Sequence, residues 1–258
     1  NAQNDGDSFG YTTAYSSNWS NKEWPKKECD YIVENGYMLR NRSTRTFAGH
    51  LLTISSGGDL SCYASTTVNN LQLLETCRAM VRGTNTGSIN GSAEIRTSES
   101  GFVNFETENG TMTVSSQLSG YGNVRYRGFN GGTTYTGTIN VTGENTAFVG
   151  KVALPHEKMT VRFKYESALG GNPRKFAADG LSVGDGVTLW CTETYPLSVT
   201  QPNRGVTVKG STKVDVQSGL TCRMTTPITG AGSLVKKNAG TLELGGANDF
   251  VGGGTLES

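Results

Sequence analysis

The sequence of 258 residues lacks the features that mark several large functional classes. No apolar stretch approaches the about 20 residues that a membrane-spanning helix needs, so we expect no membrane span. The net charge is only +1, and the basic residues are scattered rather than clustered. Because nucleic-acid-binding surfaces need concentrated positive charge, we expect no nucleic-acid partner.

Histidine, a frequent catalytic base and metal ligand, occurs only twice. His50 and His156 lie in no recognisable catalytic motif, and no serine has the strand-to-helix context of a nucleophile. The glycines at Gly230 and Gly232 are followed by strand-like alternation instead of a helix, which argues against a phosphate-binding loop. The sequence therefore predicts no cofactor, no metal site and no enzymatic activity.

Two aspartates are nevertheless the candidate catalytic pair if the protein is an enzyme. Asp179 and Asp185 are six residues apart, a spacing that could place their carboxyls at successive corners of a coil. Paired carboxylates are the groups that glycosidases use. Both aspartates also precede a glycine, and Asp-Gly is a common turn dipeptide, so turn formation is the simpler interpretation.

The five cysteines have no C-x-x-C spacing that would indicate a zinc site. One or two disulfides between neighbouring coils are one interpretation, with Cys191 and Cys222, or Cys62 and Cys77, as the candidate pairs. Cysteines that act as small apolar core residues are the other. Because the number of cysteines is odd, at least one of them remains a free thiol in either case.

Glycine and short apolar alternations are abundant instead, and the last thirty residues show the pattern best. Leu234/Val235, Leu242/Leu244 and Phe250/Val251 are separated by glycines. Alternation with a period of two is typical of half-buried strands, and glycine permits the corners between them. Strands this short must stack on copies of themselves, so the pattern predicts an all-β solenoid. At about 20–25 residues per coil, the chain would make about ten or eleven coils.

A second copy of this pattern lies upstream. The block from Gly137 through Asn145 to Phe148 matches the block from Gly240 through Asn248 to Phe250. We therefore interpret these six residues as structural repeat positions, with the asparagines at corners. The repeat-like coils would span 118–154 and 228–257, within one continuous domain from 28 to 258.

The C-terminal block resembles the passenger-associated transport repeat, also called the autotransporter-associated β-strand repeat. The matching positions are Gly230, Gly232, Leu234, Lys236, Gly240, Thr241, Leu242, Leu244, Gly246, Asn248, Phe250, Gly252 and Gly253. The resemblance covers about an eighth of the chain. It implies a coil of a secreted bacterial β-helix, hence a right-handed parallel β-helix at the cell surface.

The N-terminal segment 1–27 differs from the rest in being aromatic and polar. Phe9, Tyr11, Trp19 and Trp24 are its main aromatic residues. The exposed end of a solenoid needs a cover, so a cap or an assembly segment is one interpretation. An aromatic platform that contacts a glycan is the other.

Together these patterns predict an extracellular structural or adhesive β-solenoid, such as a surface spike, a stalk, an adhesin or a filament subunit. Its last coil would accept the next copy, which would give head-to-tail self-assembly. Glycans or a host or cell surface are the other expected partners. The alternatives are a polysaccharide lyase or hydrolase and a glycan-binding module built on the same β-helix.

Overall fold

The computed structural model describes residues 25–155 and 157–257 as a parallel β-solenoid of about ten turns. Every strand pairing in these two ranges is parallel. The predicted all-β solenoid is therefore confirmed. The predicted cap residues Phe9, Tyr11, Trp19 and Trp24 lie outside the described ranges.

The strands are short because each glycine-rich corner ends one. In chain order they are β1 (Asp30–Val33), β2 (Met38–Asn41), β3 (Arg45–Thr46), β4 (Leu51–Ile54), β5 (Asp59–Cys62), β6 (Ser65–Leu74), β7 (Arg78–Val81), β8 (Thr86–Arg96), β9 (Phe102–Thr107), β10 (Thr111–Val114), β11 (Gln117–Gly120), β12 (Asn123–Gly128), β13 (Thr138–Val141), β14 (Ala147–Phe148), β15 (Val152–Leu154), β16 (Thr160–Phe163), β17 (Ala177–Val183), β18 (Thr188–Cys191), β19 (Ser198–Val199), β20 (Arg204–Val208), β21 (Ser211–Val216), β22 (Thr221–Met224), β23 (Ile228–Thr229), β24 (Ser233–Lys237), β25 (Thr241–Leu244) and β26 (Gly254–Leu256). Two short 3-10 helices, Phe129–Gly131 and Glu166–Leu169, interrupt this series.

Each coil passes over three sides in turn. Side 1 contains β3, β10, β13, β16, β18, β21, β24 and β26, with the first halves of β6 and β8. Side 2 contains β1, β4, β11, β14, β19, β22 and β25, with the second halves of β6 and β8. Side 3 contains β2, β5, β7, β9, β12, β15, β17, β20 and β23. Because β6 and β8 bend halfway, they join strands of sides 1 and 2 into one large sheet.

The inward-pointing side chains form one continuous apolar core, from Tyr31 in the first described coil to Leu234 near the last. Like residues stack within it. The rings of Phe105 and Tyr126 are stacked with centroids 5.4 Å apart, and Phe163 meets Tyr126 edge-on at 6.1 Å. Each large apolar side chain buried in this way stabilises the fold by about 1.5–3 kcal/mol.

The outward-pointing residues also stack in rows. On side 1 a row of threonines extends over five successive coils, each residue paired in register with the next. Its members are Thr86, Thr111, Thr138, Thr160 and Thr188. Threonine favours the extended backbone because its branched Cβ packs well on a pleated surface. This row was not recognised from the sequence, because its members are separated by corners of unequal length.

The two repeat copies adopt the same local turn at different corners. The Gly137 block leads from side 1 into side 2, whereas the Gly240 block leads from side 2 towards side 3. In each block the asparagine accepts a hydrogen bond from a backbone N–H of the preceding coil. Asn145 Oδ1 lies 2.7 Å from the nitrogen of Leu118, and Asn248 Oδ1 lies 2.9 Å from that of Ile228.

The two phenylalanines of the repeat differ in burial because their blocks lie at different heights of the solenoid. Phe148 is fully buried, since coils cover it on both sides. Phe250 is half-buried and packs against the core at the last described coil. The two blocks therefore share a turn geometry but not a place in the coil.

Two corner glycines explain why the repeat pattern needs this residue. Gly120 and Gly230 have φ angles of +97° and +110°. A Cβ at Gly120 would lie 2.5 Å from the carbonyl oxygen of Ile95, and one at Gly230 would lie 2.2 Å from that of Val208. Both the backbone conformation and the close approach of the preceding coil exclude larger residues here.

We predict that Gly120→Ala lowers the free energy of unfolding by about 2–4 kcal/mol, because it combines a left-handed backbone with a clash. Gly219→Ala is the matched control, since Gly219 has a similar φ of +80° but open space around it. That variant should lose only about 1–2 kcal/mol. Urea unfolding measures both values, and equal losses would show that the clash with Ile95 is unimportant.

Candidate functional site: a charged cleft on side 3

A cleft of about 380 Å³ lies on the outer surface of side 3. Its origin is a change in side-chain size along one outward row. Arg125 on β12 is paired with Ala153 on β15, which is paired with Ser182 on β17. A large side chain is thus followed by two small ones, and the surface drops at the second and third positions. Ala153 and Ser182 form the floor of the cleft, together with Gly184.

Arg125 forms one end of this cleft. Its guanidinium lies over the ring of Phe102, 4.3 Å from the ring centroid. Burial, together with the nearby charge of Arg127, lowers the pKa of the half-buried Arg125. In the described part of the chain Arg125 has no side-chain hydrogen bond or ion pair, and Glu106 and Glu157 act on its charge only from a greater distance. The cleft therefore presents a cation without a contacting acceptor.

One rim of the cleft carries an ion pair. Lys151 Nζ lies 2.8 Å from Oδ2 of Asp179, and both side chains are about half exposed. Asp179 is brought to the rim by an irregularity in β17, whose register with β20 shifts between Ala177 and Leu181. Exposed pairs of this kind contribute about 0.2–1 kcal/mol, so Lys151 and Asp179 are free to exchange partners with a ligand.

The other rim is formed by Asp185 and Lys209. Asp185 Oδ1 accepts a hydrogen bond from the backbone nitrogen of Ser211 at 2.7 Å. Gly186, which follows it, has a φ of +78°, so this Asp-Gly pair forms a turn as the sequence indicated. The turn expected at Asp179-Gly180 is wrong, because both residues lie within β17. The side chain of Lys209 is exposed and has no hydrogen bond or ion pair to the described residues. Asp179 and Asp185, the two carboxylates predicted from sequence, therefore line one cleft.

Ser182 on the floor lies within Gly180-Leu-Ser-Val-Gly184, which matches the letters of the G-x-S-x-G motif. A nucleophilic serine in that motif needs a sharp turn from a strand into a helix. Ser182 instead lies inside β17, which is paired on both edges, to Ala153 and Thr207 at this position. The sequence of the motif is therefore present, but the turn that exposes a nucleophilic serine is not. Ser182 contributes a hydroxyl group to the floor of the cleft.

Upstream of the cleft, side 3 is covered by the segment 128–137, which leaves the regular coil between β12 and β13. Phe129 of this segment is buried and contacts two guanidinium groups, those of Arg78 at 5.7 Å and Arg82 at 4.7 Å. Arg78 is held in turn by the carboxylate of Asp59. The segment divides side 3 into a covered upstream part and an open downstream cleft.

Two glutamates are buried beneath the covering segment. Glu106 is fully buried and accepts hydrogen bonds from Arg127, at 2.9 Å from Nε and 2.6 Å from Nη2. Its second oxygen accepts from the backbone nitrogen of Asn130 at 3.1 Å. Glu157 is 3% exposed, and its carboxyl accepts from the backbone nitrogen of Gly128. Burial raises the pKa of Glu157 to about 7.

No pattern in the sequence indicated that Glu106, Glu157 and Arg127 form a buried cluster. Glu106 and Arg127 are direct cross-strand partners on β9 and β12, yet they are 21 residues apart. Glu157 reaches Gly128 across 29 residues. Only the register between coils brings these groups together, so a search for motifs along the chain does not find them.

The cysteine pairs expected from the sequence are not disulfides in this structure, where all five cysteines are free thiols. Cys62 continues the register that pairs Ser61 with Met80, so its neighbour in the next coil is Val81. Cys77 is four residues before Val81, about 13 Å along the strand, which is too far for a disulfide. The pairing of Cys62 with Cys77 is therefore wrong.

Cys191 and Cys222 are in contact, although not covalently bonded. Both are buried, and Cys191 Sγ accepts a hydrogen bond from the backbone nitrogen of Leu197 at 3.3 Å. The interaction between the two neighbouring thiols lowers the pKa of Cys191 and, together with burial, raises that of Cys222. They thus act as core residues, the second interpretation drawn from the sequence.

The described residues contain no cluster of three or more histidine, cysteine, aspartate or glutamate side chains that could hold a metal ion. Nor does any helix within them have the length and apolar character to cross a bilayer. His50 is exposed and lies 2.8 Å from Asp30 through Nδ1, away from side 3.

No protein-family model, curated protein or solved structure matches this chain. The resemblance to the passenger-associated transport repeat therefore stays a prediction.

We predict that the stability of the protein falls as the pH rises through about 7, because burial favours the protonated form of Glu157. A raised pKa gives stability that is fully present below the unfolded-state pKa and is lost above the folded-state pKa. The loss between pH 5 and pH 8 should be about 1–2 kcal/mol.

Glu157→Gln removes this titration while keeping an oxygen that can accept from Gly128, so its unfolding midpoint in urea should vary less with pH. Glu193→Gln, at an exposed position, is the control and should follow the unmodified protein. Identical pH profiles for the Glu157→Gln variant and the unmodified protein would contradict the assignment.

Proposed function

We propose that this protein is an extracellular structural or adhesive β-solenoid that serves as a rigid rod, in a surface spike, a stalk or a filament. The observation that supports this proposal is the uninterrupted backbone pairing on side 1. Ten strands, from β3 to β26, are joined there without a gap. At about 4.8 Å per coil, they form a rod about 45 Å long.

The rod is stiff because its coils are bonded on several sides at once. Bending the axis would lengthen the hydrogen bonds on at least one side, and the tightly packed core resists the change of shape. A stiff rod of defined length can act as a spacer that holds two parts of an assembly a fixed distance apart. The resemblance to secreted β-helix repeats supports the extracellular location.

Head-to-tail assembly is the second part of the proposal, and it rests on the last described coil. Its strands β25 and β26 have no partner on their outer edges within the described ranges. Leu242 and Phe250 are only half covered, while Val251 and Leu256 are 80% and 84% exposed. Unpaired parallel edges beside apolar side chains are a template for another β-coil.

A second copy of this chain is the occupant that we propose for that end. At the opposite end, β1 and β2 are each paired on one edge within the described ranges, and Ile32 and Tyr37 are exposed nearby. Within the described ranges, both ends of the solenoid therefore have unpaired parallel edges with exposed apolar side chains nearby. Because unlike ends meet, the contact does not close and extends into a filament.

We predict that the purified chain lengthens into rods as its concentration rises, and that Val251→Asp with Leu256→Asp abolishes this growth, because a buried carboxylate at the joint is unfavourable. Tyr121→Asp is the control, since Tyr121 is equally exposed but lies midway along the rod. Sedimentation velocity and electron microscopy measure the length distribution. A protein that remains monomeric at every concentration would refute the assembly.

A polysaccharide lyase or hydrolase is the second candidate, favoured by one observation: Asp179 and Asp185 line the same cleft. Both carboxylates already have partners, Lys151 and the Ser211 backbone respectively, which favours binding over catalysis. Release of reducing ends from acidic or neutral polysaccharides, lost in Asp179→Asn and Asp185→Asn, would establish the enzyme instead. On our proposal, no cleavage occurs.

A further inference from the structure

The charges of the side 3 cleft are not balanced by contacts within the described protein. Lys151 is paired with Asp179, and Asp185 accepts from the backbone of Ser211. Arg125 and Lys209 remain without a side-chain acceptor among the described residues. A half-buried guanidinium without a contacting anion is costly, so the cleft favours a ligand that supplies one.

Arg125 is oriented for recognition of a planar anion. The ring of Phe102, 4.3 Å away, supports one face of the guanidinium and restricts its rotation. The N–H groups of the guanidinium then remain available at its edge. A fork of this kind matches the two oxygens of a carboxylate, with two parallel hydrogen bonds. Lysine would supply the charge but not this geometry.

The spacing of the two unpaired cations indicates an extended ligand. Arg125 lies on β12, and Lys209 directly follows β20, three coils further along side 3. Three coils correspond to about 14 Å along the axis. A single small anion cannot contact both ends, whereas a chain that carries more than one anionic group can. The cleft volume of about 380 Å³ is in the range of ligand sites.

The carboxylates on the rims restrict the class of ligand further. Asp179 and Asp185 can accept hydrogen bonds from hydroxyl groups, and Ser182 on the floor can donate or accept one. The two aspartates need hydrogen-bond donors. A nucleic acid backbone offers at most one hydroxyl group per nucleotide, whereas each unit of an oligosaccharide offers more than one. A ligand that carries both carboxylates and hydroxyl groups satisfies the cations and the aspartates together.

We propose that the cleft between Arg125 and Lys209 binds an acidic oligosaccharide of the uronic acid class. The carboxylates of the sugar contact Arg125 and Lys209, and its hydroxyl groups contact Asp179, Asp185 and Ser182. Lys151 can turn from Asp179 to the ligand, since their exposed pair is weak. This binding is independent of the proposed end-to-end assembly, because the cleft faces sideways from the rod.

The test is calorimetric titration of the full chain with a short oligogalacturonate, and with its fully methyl-esterified form as the uncharged counterpart. The acidic form should bind and the ester should bind at least about tenfold more weakly, since charge-assisted hydrogen bonds are lost. Binding should also weaken as salt is added. Inorganic phosphate is the third probe and should not compete at equal concentration.

Two variants locate the site. Arg125→Gln should weaken oligogalacturonate binding by about tenfold or more, and Lys209→Gln by a smaller factor. Arg223→Gln on side 2 and Lys213→Gln on side 1 are the matched controls and should bind as the unmodified protein does. Unchanged urea midpoints show that each variant is folded.

Four results would overturn the proposal. The first three are no binding of the acidic oligosaccharide, equal binding of the ester, and equal affinity in the Arg125→Gln variant. The fourth is competition by inorganic phosphate at equal concentration, which would show a simple anion site. The assembly variant with Val251→Asp and Leu256→Asp should bind the oligosaccharide normally. The assembly proposal and the binding proposal can therefore fail independently of each other.

Discussion

Parallel backbone hydrogen bonding between successive coils is the constraint on which the rest of this structure depends. Strands of two to eleven residues cannot satisfy their N–H and C=O groups alone, so each coil must lie in register on its neighbours. Because the coils are in register, residues at equivalent positions of successive coils stack on one another. The aromatic contact of Phe105 with Tyr126 and the row of threonines on side 1 are direct consequences of this requirement.

The same constraint shapes the surface. Because outward residues form rows, a change from Arg125 to Ala153 and Ser182 in adjacent coils makes a hollow with a cation at its end. The covering segment 128–137 closes side 3 upstream of that hollow and shields the buried glutamates Glu106 and Glu157. The described residues therefore form a solenoid with an open charged cleft, which would combine the structural role and the binding of an extended anionic ligand that we propose.

Local features of the fold were accessible from the sequence, while the cleft was not. Glycine-bounded alternation predicted a solenoid, and the repeated block identified a turn in which Asn145 and Asn248 bond the preceding coil. The block gave no indication of the side on which each copy lies. Asp179 and Asp185 were recognised as candidates, but Arg125 was not, since its role comes from Phe102 and Ala153 in neighbouring coils.

The sequence by itself determined which side chains point inward, because alternation along a strand is a property of the backbone with a period of two. It did not determine which residues meet across coils, because the corners differ in length. Asp59 contacts Arg78 over 19 residues, whereas Gly128 contacts Glu157 over 29. Hydrogen bonding fixes the strands and leaves the corners free to vary, so only the tertiary structure decided the neighbours. For the same reason Cys62 is stacked next to Val81 and not next to Cys77.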